Sequence, residues 1–150
     1  MVKPQDRRWV AFALVGYSLL LIYWMLFGFG REPHDTYRYN LKPLFTIRQF
    51  LRAGDFMSAR WLVNMIGNIG VFIPFGLLMP MVFGGKLRKE ISLFLLGIVI
   101  LEILQLVLKR GSFDVDDMIL NTAGFLLGFG IYKLYDRMLS KPNKRRTRYG

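Results

Sequence analysis

The chain contains no cysteine and only one histidine, His34. The first absence excludes a disulfide framework and thiolate chemistry, and the second argues against a zinc site built from two or three histidines. Acidic residues are also few, with 10 Asp and Glu against 21 Lys and Arg in 150 residues. The resulting net charge of +11 is typical of nucleic-acid binding only when the charges cover a polar surface.

Charged residues are missing from two long stretches of the chain. Trp9–Gly30 and Trp61–Gly85 are runs of 22 and 25 residues without one charged side chain. A helix that crosses the hydrocarbon core of a bilayer needs about 20 apolar residues. The sequence therefore excludes a soluble basic domain and predicts an integral membrane protein.

Two further apolar segments follow, Ile91–Leu108 with one charged residue and Met118–Tyr132 with none. We predict an all-α membrane protein that forms a single domain over residues 1–150. Its transmembrane helices are expected at about residues 9–30, 61–83, 90–109 and 115–135. The first apolar run is longer than the ~7–15 residues of a signal-peptide core, so we expect it to be retained as a span.

The distribution of basic residues predicts the orientation of the spans. Of the 21 Lys and Arg residues, 13 lie in residues 1–8, in residues 86–90 and in the segment from Lys133 onward. Because cytoplasmic flanks carry the excess of Lys and Arg, both termini are expected in the cytoplasm. We interpret the basic tail, residues 136–150, as an anchor on anionic lipid and expect no nucleic-acid partner.

The segment between the first two spans, residues 31–60, has apolar residues at helical spacing from Pro43 onward. These residues are Leu44, Phe45, Ile47, Phe50, Leu51 and Phe56. The pattern predicts an amphipathic helix in the first external loop, lying in the membrane interface, in preference to an ordinary extracellular loop.

Polar side chains interrupt three of the four spans, and within each span they share one helix face. The pairs and triplets are Asn64 and Asn68, Glu102 and Gln105, and Asp114, Asp117 and Asn121. Because the spans alternate in direction, all three polar faces fall at one depth on one side of the membrane. A carboxylate that faces lipid costs ~2.5–3.5 kcal/mol, so we expect Glu102 to face the bundle interior or a wet pocket.

We therefore predict a ligand-binding pocket on the external side. Its expected members are Asn64, Asn68, Glu102, Gln105, Arg110, Asp114, Asp117 and Asn121. Glu102 and Asp117 are the candidate catalytic residues, and Asp114 and Asp117 are the candidate ligands of a hard cation. We otherwise expect no metal and no cofactor. The alternative is that the amides only hold helices together through hydrogen bonds.

Small residues and prolines predict how the helices pack. Gly124 and Gly128 form a small-xxx-small face on the fourth span, and a homodimer could form through it. Pro74 and Pro80 in the second span predict a kink that opens space beside the third.

Three strings of residues resemble signatures of the VanZ-like family. Asn64-Met-Ile-Gly-Asn68-Ile-Gly-Val-Phe72-Ile-Pro74-Phe-Gly76 is similar to its N-x-x-G-N-x-x-x-F-x-P-x-G motif. Glu102-x-x-Gln105, followed by Arg110-x-x-Phe113-Asp114-x-x-Asp117-x-x-x-Asn121-Thr-x-Gly124, resembles its second motif. Asn40-Leu41-x-Pro43 resembles the loop ahead of the second helix. The resemblance implies a small protein of the bacterial plasma membrane, and the family's namesake is associated with resistance to teicoplanin, a glycopeptide antibiotic with a lipid tail.

Three functions are compatible with these features. The first is a protein that binds or remodels an amphiphile at the outer leaflet, either a lipid-linked envelope precursor or a lipoglycopeptide antibiotic such as teicoplanin. The second is an intramembrane enzyme that acts on a lipid head group, assisted by a divalent metal. The third is a small transporter or assembly subunit, although four helices are few for alternating-access transport. No nucleophile with a partnering base is evident, because cysteine is absent and the one histidine is far from the polar faces in sequence.

Overall fold

The computed structural model describes residues 4–28, 32–53, 58 and 61–140. In this part of the chain four helices are long and apolar enough to cross a membrane, Gln5–Phe27, Asn64–Phe83, Leu87–Val107 and Val115–Ser140. The predicted all-α membrane fold with four spans is therefore confirmed. The fourth helix continues through the first part of the predicted tail, and residues 141–150 lie outside the described residues.

The elements follow one another in a simple order along the chain. They are α1 (Pro4–Phe27), β1 (Arg38–Asn40), α2 (Phe45–Ala53), α3 in three segments (Leu62–Gly67, Asn68–Gly70 and Ile73–Phe83), α4 (Leu87–Val107), β2 (Ser112–Asp114) and α5 (Val115–Ser140). Gly84, with φ of 100°, ends α3 in the left-handed conformation that glycine adopts without strain.

The second span is broken at Val71 and Phe72, just before Pro74. Pro74 has no backbone N–H, so the carbonyl of Gly70 lacks the usual helical donor. The chain makes a tighter turn there, with the Phe72 N–H donating to the Ile69 carbonyl at 3.3 Å. The Tyr17 hydroxyl of α1 donates to the carbonyl of Val71 at 2.8 Å, which ties the break to the first span. Upstream of the break, Leu62–Gly67 is a π-helical turn, a form common at functional sites.

Glycines bring α3 and α5 into backbone contact. A Cβ atom on Gly124 would overlap the carbonyl oxygen of Ile69, and one on Gly128 would overlap that of Ile73. Gly76 of α3 contacts the carbonyl oxygen of Phe125 in the same way. Both α5 glycines are buried by this packing within one chain. The predicted homodimer through them remains a prediction.

Aromatic side chains fill the centre of the bundle. Phe94 of α4 stacks on Phe125 of α5 with ring centroids 4.6 Å apart, and Phe72 meets Phe94 edge-on at 5.6 Å. Phe72 and Phe125 are 1% and 0% exposed, so this cluster forms the core where α3, α4 and α5 meet.

A two-stranded parallel sheet closes one end of the bundle, which we call the cavity end. Arg38 pairs with Ser112 and Asn40 with Asp114, so the segment after α1 is joined to the connection between α4 and α5. The helix predicted in the loop between the first two spans is present as α2, which follows β1. It turns the half-buried Ile47 toward the protein and leaves Phe45 exposed. Its position in the membrane interface remains a prediction.

Candidate functional site

A cavity of about 480 Å³ lies at the cavity end, and each of the five helices and two strands found in the described part of the chain contributes to its wall. We call it the polar cavity because of its polar lining residues. These are His34, Arg38, Thr46, Asn64, Asn68, Gln105, Arg110, Ser112, Asp114 and Asp117. Its volume lies in the ~300–1,000 Å³ range of small-molecule sites.

The polar faces predicted on the second and fourth spans meet in this cavity. Asn68 donates through Nδ2 to Oδ1 of Asp117 at 2.8 Å, which joins α3 to α5. Asn64 lies one helical turn before Asn68 and lines the same wall. The backbone contact at Gly124, two turns further along α5, sets the separation of the two helices.

Gln105 connects the third span to the first. Its Nε2 donates to the carbonyl of Met25 near the end of α1 at 2.9 Å. Gly111 packs against it, since a Cβ on Gly111 would lie 3.1 Å from Cβ and Cδ of Gln105. The side chain is 3% exposed, so its amide is fixed in one orientation at the cavity wall.

Asp114 lines the cavity, but hydrogen bonds within the chain occupy both its carboxylate oxygens. Oδ1 accepts from Asn40 Nδ2 at 3.1 Å and from the Asp116 N–H at 2.8 Å, while Oδ2 accepts from the Thr46 hydroxyl at 2.8 Å. Among the described residues no group of three or more His, Cys, Asp or Glu is placed to hold a metal ion. The carboxylate of Asp114 thus has a clear role in holding β1 and α2 against α5.

Asp116 performs a related task from a fully buried position. Its Oδ1 accepts the N–H of Leu44 and its Oδ2 accepts the N–H of Ile47 at 3.1 Å. These are donors at the start of α2, which have no partner within their own helix. Asp116, which the sequence did not single out as a site residue, therefore caps a helix distant in sequence.

Two predicted site residues, Glu102 and Asn121, are buried and do not line the cavity. Glu102 is 1% exposed and Asn121 is 0% exposed. Oε2 of Glu102 accepts the backbone N–H of Asp114 at 3.3 Å. This geometry gives Glu102 a positioning role at the junction of β2 and α5.

The structure brings His34 into the cavity, although the residue is far from the polar faces in sequence. The His34 N–H donates to the carbonyl of Lys109 at 2.8 Å, so the segment after α1 crosses to the end of α4. Lys109 has a φ of 54°, and its Nζ donates to the carbonyl of Asp35 at 3.1 Å. Helical periodicity in the sequence could not predict these contacts, because they join segments outside the helices.

Two arginines, Arg38 of β1 and Arg110, line the cavity. The backbone N–H of Arg110 donates to the Gln105 carbonyl at 3.0 Å, and its guanidinium carbon lies 4.8 Å from the centre of the Phe27 ring. A guanidinium at this distance from a ring is stabilised by the negative face of the aromatic system. A guanidinium group can bind a carboxylate or a phosphate through two parallel hydrogen bonds.

Fold and cavity together define a small multi-pass membrane protein with a polar chamber between its spans at one end of the bundle. The VanZ/LLP1 family model matches residues 14–136 of the chain. Protein VanZ of Enterococcus faecium is 31% identical over 133 residues, which cover 87% of this chain and 78% of that protein. The chain therefore belongs to the VanZ-like family. No solved structure matches it.

Proposed function

We propose that the polar cavity binds the head group of an amphiphile at the outer leaflet of the bacterial plasma membrane. The ligand class is a lipid-linked envelope precursor or a lipidated glycopeptide such as teicoplanin. One observation carries the proposal: a cavity of about 480 Å³ with charged and amide walls lies at one end of four membrane spans. A ligand there would place its polar part in the cavity and its apolar part in the bilayer.

The mixture of side chains in the cavity favours a head group with both an anionic group and hydrogen-bonding groups. Arg38 and Arg110 supply guanidinium groups for a phosphate or carboxylate. Asn64 and Gln105 offer neutral amides, and Asp117 offers a carboxylate that accepts hydrogen bonds from hydroxyl or amine groups.

The proposed orientation places the cavity end outside the cell and both termini in the cytoplasm. The distribution of Lys and Arg supports it.

Because the chain has no cysteine, a single Tyr39→Cys variant reports the side of the membrane without background labelling of the chain. Tyr39 is 66% exposed, so we expect a membrane-impermeant maleimide to label it in intact cells. An Arg88→Cys variant at the other end is expected to react only after lysis, and the reverse result would contradict the orientation.

Replacement of Arg110 by alanine tests the proposed head-group site. A hydrogen bond to a charged group contributes ~1.5–3 kcal/mol, so we expect the dissociation constant to rise about 10- to 100-fold. The measurement is binding of dipalmitoyl phosphatidic acid and of teicoplanin to the full chain in nanodiscs of neutral lipid.

Arg137→Ala is the matched control, because Arg137 is an exposed arginine in the last turn of α5 at the opposite end. Equal affinities of Arg110→Ala and Arg137→Ala for both probes would refute the proposal. The recovered probe is expected to be intact. Its cleavage by the wild-type chain would favour the enzyme alternative, for which His34 and Asp117 in the cavity wall are the available acid–base groups.

A further inference from the structure

A second cavity lies between α1, α3 and α4, further from the cavity end. Its volume is about 290 Å³, and we call it the apolar groove. Its lining includes Leu14, Leu21, Phe72, Phe94, Ile98 and Leu101. The hydroxyl of Ser18, which also lines it, donates to the Leu14 carbonyl of its own helix at 2.8 Å. The wall is therefore suited to hydrocarbon.

The apolar groove adjoins the polar cavity. Leu21 of α1 and Phe72 of α3 line both of them, so the two spaces meet at this pair of side chains. Phe72 is held in place by its contacts with Phe75 and Phe94, whose ring centroids lie 5.8 and 5.6 Å from its own. The polar walls thus give way to apolar walls along the direction of the spans.

Space for a chain is available at Gly97 on α4. This glycine lines the groove, and a Cβ atom placed on it meets nothing within 4 Å. An apolar cavity of ~150 Å³ lined by Leu, Ile and Phe is large enough to bind benzene. The apolar groove has about twice that volume, enough for roughly ten methylene carbons by the same comparison.

We propose that the apolar groove binds one acyl chain of the amphiphile whose head group occupies the polar cavity. The inference rests on the proposed function and deepens it, because it makes the ligand a lipid recognised at both its head and its tail. The continuity of the two spaces at Leu21 and Phe72 favours this occupant over bulk lipid, since one molecule can span both.

The test uses the full chain in neutral nanodiscs and a phosphatidic acid that carries a diazirine in one palmitoyl chain. We expect crosslinks on the groove residues Leu93, Gly97 and Leu104 in the wild type. In Gly97→Leu the added side chain occupies the groove, so crosslinking at Leu93 and Leu104 is expected to fall about tenfold. Gly130→Leu is the matched control, because Gly130 is a helical glycine of α5 with nothing within 4 Å.

Chain length separates failure of this inference from failure of the proposed function. We expect Gly97→Leu to reduce the ratio of dipalmitoyl to dihexanoyl phosphatidic acid binding, and Arg110→Ala to weaken binding of both probes. If Arg110→Ala weakens binding while Gly97→Leu behaves like Gly130→Leu, the tail site is refuted and the head-group site stands. If groove crosslinks persist unchanged in Arg110→Ala, the groove takes bulk lipid and the coupled site is refuted.

Discussion

Replacement of Gly124 by alanine is expected to destabilise the bundle by about 3 kcal/mol, at the upper end of the range for overpacking. The new methyl group would overlap the carbonyl oxygen of Ile69, which belongs to the backbone of α3. A backbone atom has no rotamer by which to move aside, so α3 and α5 would have to separate. Separation would also lengthen the Asn68–Asp117 hydrogen bond and widen the polar cavity.

The sign of the change in the free energy of unfolding distinguishes an effect of helix packing from an effect of helix propensity. Alanine in place of a helical glycine normally stabilises by roughly 0.5–1 kcal/mol. Gly130→Ala on the same helix is expected to show that small gain, because its Cβ meets nothing within 4 Å. Unfolding in mixed micelles of dodecylmaltoside and dodecyl sulfate, followed by circular dichroism, measures both variants. Equal stability of the two would show that α3 and α5 are not in backbone contact at Gly124.

The spans and their polar faces could be predicted because both depend on local sequence. Hydrocarbon thickness sets the length of an apolar run, and helical spacing places Asn64 beside Asn68 and Glu102 beside Gln105. Alternation of the spans then brings these faces to one end. Six of the eight predicted site residues do line the polar cavity there.

The remainder of the site depends on contacts between distant segments. The pairing of Arg38–Asn40 with Ser112–Asp114 joins residues 74 positions apart, and the Asn40–Asp114 hydrogen bond spans the same distance in sequence. Strands of three residues are too short to show a recognisable alternation of apolar and polar residues. That pairing carries His34 to the cavity and engages Asp114. The sequence alone does not distinguish a carboxylate that binds a ligand from one that caps another helix, as Asp116 does for α2.

The glycine face of α5 illustrates a different limit. Small residues four apart predict that a helix will be approached closely, and the spacing is silent on whether the partner is in the same chain. In the structure α3 of the same chain makes this close approach, since its Gly76 contacts Phe125, which lies between the two α5 glycines. Its position after Pro74 places it just beyond the helix break, in the segment that packs against α5.

Replacement of Asp116 by alanine is expected to release α2 from the bundle while the spans stay folded. The variant removes two charge-assisted hydrogen bonds to the N–H groups of Leu44 and Ile47. Such bonds contribute ~1.5–3 kcal/mol each. Helices shorter than ~12–15 residues are marginal in water, so α2, with nine residues, depends on its attachment.

Trypsin provides the measurement, because α2 carries Arg48 and Arg52 on its exposed side. We expect cleavage after these arginines to accelerate at least about tenfold in Asp116→Ala, the factor that corresponds to ~1.4 kcal/mol of local stability. Asp136→Ala, a half-buried aspartate near the other end of α5, is expected to leave the rate unchanged. Unchanged helicity by circular dichroism would show that the spans remain intact. A wild-type cleavage rate in Asp116→Ala would mean that the Thr46–Asp114 hydrogen bond and the half-buried Ile47 side chain are enough to hold α2, and that the buried carboxylate is not its cap.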